Sequence, residues 1–188
     1  AILQEAAEGD DATVRSLALR GLQKVGVPAV PVFVDLLASK HVDVRRQCAA
    51  LLGGIPVNDK SVIVALGYSA AKDQDYQVRR SALAALRGRG AGAKLAEPYV
   101  SMLLIDIDPQ IRQDAFHTLQ SLGVDPRPGL KKALSHPDPA VRINTASLMM
   151  GSGSTVVVGA LPTLARPPPS LPPHAAMTAA VATPKPPI

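Results

Sequence analysis

Tryptophan is absent from this 188-residue chain, and aromatic residues of all kinds make up only 3% of it. The 47% hydrophobic content is therefore mostly Ala, Leu and Val, a composition that suits closely packed helices. A single cysteine, Cys48, excludes an internal disulfide framework. No run of ~18 apolar residues occurs, so no segment reads as a membrane-spanning helix, and no basic-then-apolar signal segment stands at the front. A strong excess of one charge is missing too. Twenty basic and 15 acidic residues leave +5, mildly basic and far from a nucleic-acid-binding tail.

The signs of chemistry are equally sparse. The four histidines, His41, His117, His136 and His174, have no His neighbour, and none precedes a Glu. A metal site needs three or four clustered ligands, so the sequence predicts no metal, no cofactor and no catalytic residue. No nucleophile elbow is present. Gly88-Arg-Gly-Ala-Gly92 is glycine-rich, but no strand precedes it and no Lys-Ser/Thr follows, so it reads as a connection. The carboxylates at Asp10-Asp11, Asp73/Asp75 and Asp106/Asp108 fall at expected turns and read as helix caps rather than acid–base pairs. Cys48 reads as a small buried residue.

What the chain does have is a repeat. A Val-Arg or Ile-Arg pair recurs at Val14-Arg15, Val44-Arg45, Val78-Arg79, Ile111-Arg112 and Val141-Arg142, at spacings of 30, 34, 33 and 30 residues. Such a period marks stacked structural units. Four residues after the aliphatic residue stand Ala18, Cys48, Ala82, Ala115 and Thr145, all small. Four further on stand Leu22, Leu52, Leu86, Leu119 and Met149, all large and apolar. Steps of four share one helical face. The small residue admits a neighbouring helix and the large one fills the space beside it.

Helix starts are written in as well. Asp11, Asp75, Asp108 and Asp138 stand three residues before the aliphatic position, where a carboxylate accepts from the free N–H groups of a first turn. Pro109 and Pro139 follow at the first helical position. His41 departs from the rule, with Asp43 available in the first turn. Ends are expected near Gly53-Gly54, Gly88, Gly123 and Gly151. Between these helices lie other apolar segments, roughly 27–39, 60–72, 92–105 and 127–135, and each unit reads as helix A, turn, helix B. Residues 1–8 read as the stump of a first A helix, which suggests a fragment of a longer protein.

The element D-x-x-V-R-x-x-A-x-x-x-L at this spacing resembles HEAT repeats, most of all the short HEAT-like class that includes the phycobilin lyases. The resemblance covers about residues 1–151. The tetratricopeptide and ankyrin signatures are absent. The fold class it implies is all-α: a right-handed α-solenoid of about five HEAT-like helical hairpins (1–151), followed by a disordered Pro-rich tail (152–188). It also implies a ladder between successive repeats, pairing Arg15, Arg45, Arg79, Arg112 and Arg142 with Asp11, Asp75, Asp108 and Asp138, and it places the B helices on the concave face. The His-Glu pairs of HEAT-type hydroxylases are lacking. A guanidinium suits a ladder because its five donors form a fixed fork that Lys cannot copy.

A second column of B-helix positions reads Ser16, Arg20, Gln23; Arg46, Ala50, Gly53; Arg80, Ala84, Arg87; Gln113, His117, Gln120; and Ile143, Ser147, Met150. It holds no acid, and Arg20, Arg46, Arg80, Arg87 and His117 are its candidate partner-binding residues. Residues 152–188 carry nine of the 18 prolines and no acid, and read as a linker or a polyproline ligand. The functional expectation is a non-catalytic scaffold for another protein or peptide, acidic in character, acting as a monomer or within a longer chain. Nucleic-acid binding, or an accessory role in a lyase-type enzyme, is the alternative. No membrane is implied, and the default compartment is the cytoplasm.

Overall fold

A computed structural model describes residues 2–151, with side chains for 2–150, and helices begin directly after Asp11, Asp75, Asp108 and Asp138, as the sequence predicts. In chain order they are α1 (Ile2–Ala7), α2 (Ala12–Val25), α3 (Val30–Leu36), α4 (Val42–Gly54), α5 (Lys60–Lys72), α6 (Tyr76–Arg89), α7 (Glu97–Met102), α8 (Pro109–Ser121), α9 (Arg127–Ala133) and α10 (Pro139–Gly151). No strand occurs among the described residues. The Asp11 carboxylate accepts from the N–H groups of Thr13 and Val14, Asp75 from Val78, Asp108 from Gln110 and Ile111, and Asp138 from Ala140. His41 occupies the cap position of α4 without a side-chain cap, and Asp43 lies in the first turn. Asp59 caps α5 through Ser61.

The helices pair as hairpins, α1 with α2, α3 with α4, α5 with α6, α7 with α8 and α9 with α10. Successive B helices α2, α4, α6, α8 and α10 pack side by side, as do the A helices α1, α3, α5 and α7. The fold is thus an all-α array of stacked hairpins. Its core is the register read from the sequence. Val44, Val78, Ile111 and Val141 are buried, with the small residues Ala18, Cys48, Ala82, Ala115 and Thr145 and the large residues Leu22, Leu52, Leu86, Leu119 and Met149. Each buried Leu contributes about 1.5–3 kcal/mol of transfer free energy. Thr145 satisfies its hydroxyl on the Val141 carbonyl at 2.7 Å. Where α5 meets α7 the approach is closer than a methyl group allows, since a Cβ on Gly67 would sit 2.7 Å from the Tyr99 ring.

Three details depart from expectation. Val14, placed in the core by register, is 45% exposed. Gly88 lies inside α6, and the chain leaves that helix at Gly90 with φ +55. The A segment of the fourth hairpin is not one helix but α7 between two 3₁₀ stretches, Gly90–Ala96 and Leu103–Ile105. The expected Pro-rich tail, 152–188, lies outside the described residues.

Candidate functional site

The five arginines that follow the aliphatic position share one geometry. Nη1 of Arg15 donates to the carbonyls of Gly9 and Asp10 at 3.0 and 2.8 Å. Arg112 does the same to Asp106 and Ile107 at 2.7 and 3.1 Å, and Arg142 to His136 and Pro137 at 2.8 and 2.7 Å. Arg45 donates to Ser39 at 2.9 Å, and Arg79 to Asp73 and Gln74 at 3.4 Å each. These acceptors stand five and six residues earlier, in the A–B turn. Each arginine therefore fastens its own hairpin, satisfying carbonyls that a turn leaves without a helical partner.

In Arg15, Arg45, Arg79 and Arg112 the rest of the guanidinium reaches the next hairpin, but not the aspartates the resemblance implied. Arg15 Nε donates to Asp43 at 3.0 Å. Arg45 grips Asp73 with Nε and Nη2 at 2.7 and 3.1 Å. Arg79 Nη2 lies 3.7 Å from Asp106, and Arg112 Nε donates to Asn144 at 2.9 Å. Asp11, Asp75, Asp108 and Asp138 are held instead by the helix starts they cap, which point their carboxylates at backbone N–H groups. That cap holds the Asp11 carboxyl below the usual carboxylate range. Asp73 and Asp106 stand two residues before the caps Asp75 and Asp108, and each also accepts its cap residue's N–H at 2.9 Å. Each thus combines a turn position with a lateral view of the preceding hairpin.

The candidate partner-binding column divides in two. Arg46 makes a bidentate pair with Asp75, at 2.8 Å from Nε, and Arg80 Nε donates to Asp114 at 2.9 Å, with its guanidinium 5.7 Å from the Tyr76 ring. Hydrogen bonding to Arg46 is the main reason the Asp75 carboxyl is lowered to about 2. The column carries no acid of its own, but the next hairpin supplies one to each of these two arginines. Arg20 and Arg87 are exposed, with no ion-pair partner among the described residues. His117 is exposed beside Gln120, its Nδ1 3.4 Å from the amide oxygen. A hollow of about 220 Å³ opens between α6 and α8, lined by Gln77, Arg80, Ser81, Ala84, Arg87 and Asp114.

Arg89 escaped the sequence reading. Its Nη2 donates to the carbonyls of Leu52 at 2.6 Å and Ile55 at 3.3 Å, its Nε to Val57 at 3.3 Å and its Nη1 to Ala85 at 2.8 Å. The guanidinium thus closes the C-terminal end of α4 from the following hairpin, a favourable place for a cation. Burial pulls its pKa down. Burial likewise pushes the Cys48 thiol up to about 12, so no thiolate is available there near neutral pH. Among the described residues no three His, Cys, Asp or Glu groups gather to hold a metal ion, and no helix is long and apolar enough to cross a membrane.

Stacked hairpins tied by a lateral arginine ladder define an α-helical repeat protein. Residues 1–87 match the family model for HEAT repeats, which agrees with the register of the Val-Arg pairs. No curated protein sequence matches the chain. Among solved structures, the complex of CpcE and CpcF of phycocyanin lyase from Nostoc sp. PCC7120 is similar at 22% identity, with a TM-score of 0.54 over 79% of this chain and 96% of that one. The YibA protein of E. coli aligns at 20% identity with a TM-score of 0.50, over 80% of this chain and 57% of its own length. An engineered protein aligns at 18% identity with a TM-score of 0.50, over 87% and 89% of the two chains. At these identities the likeness is one of fold.

Proposed function

We propose that this helical-repeat array is a non-catalytic scaffold that holds another protein or peptide on its B-helix face. The observation that carries this reading is the division between the two columns. Arg15, Arg45, Arg79 and Arg112 are engaged by their own hairpin and the next, and Arg142 by the turn of its own hairpin. Arg20, Arg87, Gln113, His117 and Gln120 project from the same helices, exposed and without ion-pair partners. Repeat arrays bind partners on such extended faces. The similar phycocyanin lyase structure is itself a complex of two proteins, which supports a partner-binding role.

Nucleic acid suits this face less well. Pairing of Arg46 and Arg80 with acids leaves Arg20 on α2 and Arg87 on α6 as the cations of the column, too few to neutralise a run of phosphates. The test is to reverse Arg20 and Arg87 to Glu together and titrate the partner captured from native cells at several salt concentrations. The scaffold reading expects weaker binding with a shallow salt dependence. A slope of several units on the log–log plot favours nucleic acid, and an unchanged affinity contradicts a site on this face.

A further inference from the structure

Read across the helices rather than along them, the B-helix face of the last three hairpins carries a polarity order. Position by position from the aliphatic register, one row runs Arg80, Gln113, Ile143 and another runs Arg87, Gln120, Met150. Both rows pass from cation to amide to large apolar side chain as they cross α6, α8 and α10. Between them lies a third row of Ala84, His117 and Ser147, whose small first member floors the hollow of about 220 Å³. Ile143 is 69% exposed and Met150 64% exposed, although both belong to a helix whose opposite face is core. Gln113, Gln120 and Arg87 are exposed as well.

We infer that this face takes an extended peptide segment running across α6, α8 and α10, with an acidic side chain over α6 and a large apolar side chain over α10. Each element of the face has a matching chemistry. Arg80 is fixed in place by Asp114 and by the Tyr76 ring, and the one acid lining the hollow is already spent on it. Arg87 at the other end of the hollow is uncommitted, so the hollow favours a carboxylate. Gln113 and Gln120 each offer a donor and an acceptor, the pair that an extended backbone presents along its edge. Ile143 and Met150 offer apolar area to a side chain of the same kind. Adjacent packed helices lie about 8–10 Å apart, so α6 and α10 are separated by roughly 16–20 Å. An extended chain advances about 3.3 Å per residue, which places the acidic and apolar residues five or six positions apart.

This polarity order presupposes the scaffold reading, and a direct experiment separates the two. The isotopically labelled chain is titrated by NMR with synthetic Gly-Ser peptides carrying one Glu and one Leu six positions apart, in both orders. Controls are a two-position spacing, Gln in place of Glu, and Ala in place of Leu. One order is expected to bind, moving the Arg87 side-chain N–H signal at one end and the Ile143 and Met150 methyl signals at the other. Arg87→Ala should weaken the Glu peptide about tenfold and leave the Gln peptide unchanged. Met150→Ser should weaken the Leu peptide about fivefold and leave the Ala peptide unchanged. The proposal is overturned if the two-position spacing binds equally well, if either substitution affects a peptide and its control alike, or if neither order binds. If it is overturned while the captured native partner still responds to Arg20→Glu with Arg87→Glu, the scaffold reading stands and only the polarity order is lost.

Discussion

The same tripeptide, Val-Arg-Arg, opens α4 and α6, yet the junctions the two copies make differ. Between the second and third hairpins Arg45 grips Asp73 through two hydrogen bonds and Arg46 grips Asp75 through two more. Arg89 returns from the third hairpin to three carbonyls of the second. Between the third and fourth hairpins Arg79 stands 3.7 Å from Asp106, its Nε buried without a hydrogen-bond partner, and Arg80 makes a single bond to Asp114. The arginines are equivalent in sequence, and what differs is the acceptor side. Asp73 follows a continuous thirteen-residue helix, α5, whereas Asp106 follows the 3₁₀ turn that ends a broken A segment. At these two junctions strength is therefore set by how the A segment delivers its terminal aspartate.

The largest consequence lies in Arg45. Arg45→Ala strands a nearly buried Asp73 carboxylate and should cost about 3 kcal/mol in urea unfolding. Arg79→Ala, at the looser junction, should cost about 1 kcal/mol. Equal losses would break the comparison. Arg89→Ala should cost about 2 kcal/mol, since it uncovers the carbonyls at the end of α4, and Arg89→Lys should recover little because an ammonium cannot reach several acceptors in a fork.

Smaller effects sharpen the picture. Arg46 is half exposed, so Arg46→Ala should cost below about 1 kcal/mol. Its pairing with Asp75 should be visible at acid pH. The folded Asp75 carboxyl is lowered to about 2, below the unfolded value of about 3.9. Its stabilisation is therefore fully present above about pH 4 and is lost as pH falls from there through about 2. Asp75→Asn should flatten that part of the stability profile, and an unaltered acid slope would count against the pair. Arg87→Ala, on the exposed column, should leave stability within about 0.5 kcal/mol, separating the partner face from the ladder.

Most of this architecture was legible because packing repeats. A period near 30 residues, small and large residues at fixed offsets and aspartates three positions ahead are all consequences of one hairpin stacking on the next. The structural role of Arg15, Arg45, Arg79, Arg112 and Arg142 was legible for the same reason. Their partners were not. Asp73 and Asp106 stood in plain view two residues before Asp75 and Asp108, but a carboxylate at a helix start serves the cap first, and only the fold shows which of two neighbouring acids faces sideways. Asp43 stands one residue before its aliphatic position, and Asp114 and Asn144 three after theirs, but the other units carry Leu17, Gln47 and Ser81 at that second offset, so no recurring acid marks it. Arg89 occurs once, at the end of a helix, and recurrence could not find it. The acid-free column was misleading for a related reason, since its neutralising acids, Asp75 and Asp114, belong to the adjacent hairpin.

The most direct test is a pair of double-mutant cycles, Arg45→Ala with Asp73→Ala and Arg79→Ala with Asp106→Ala, measured by equilibrium unfolding. A junction governed by its acceptor predicts a coupling of about 2 kcal/mol for the first pair and below about 0.5 kcal/mol for the second. Equal couplings, or the greater one at Arg79 and Asp106, would contradict it.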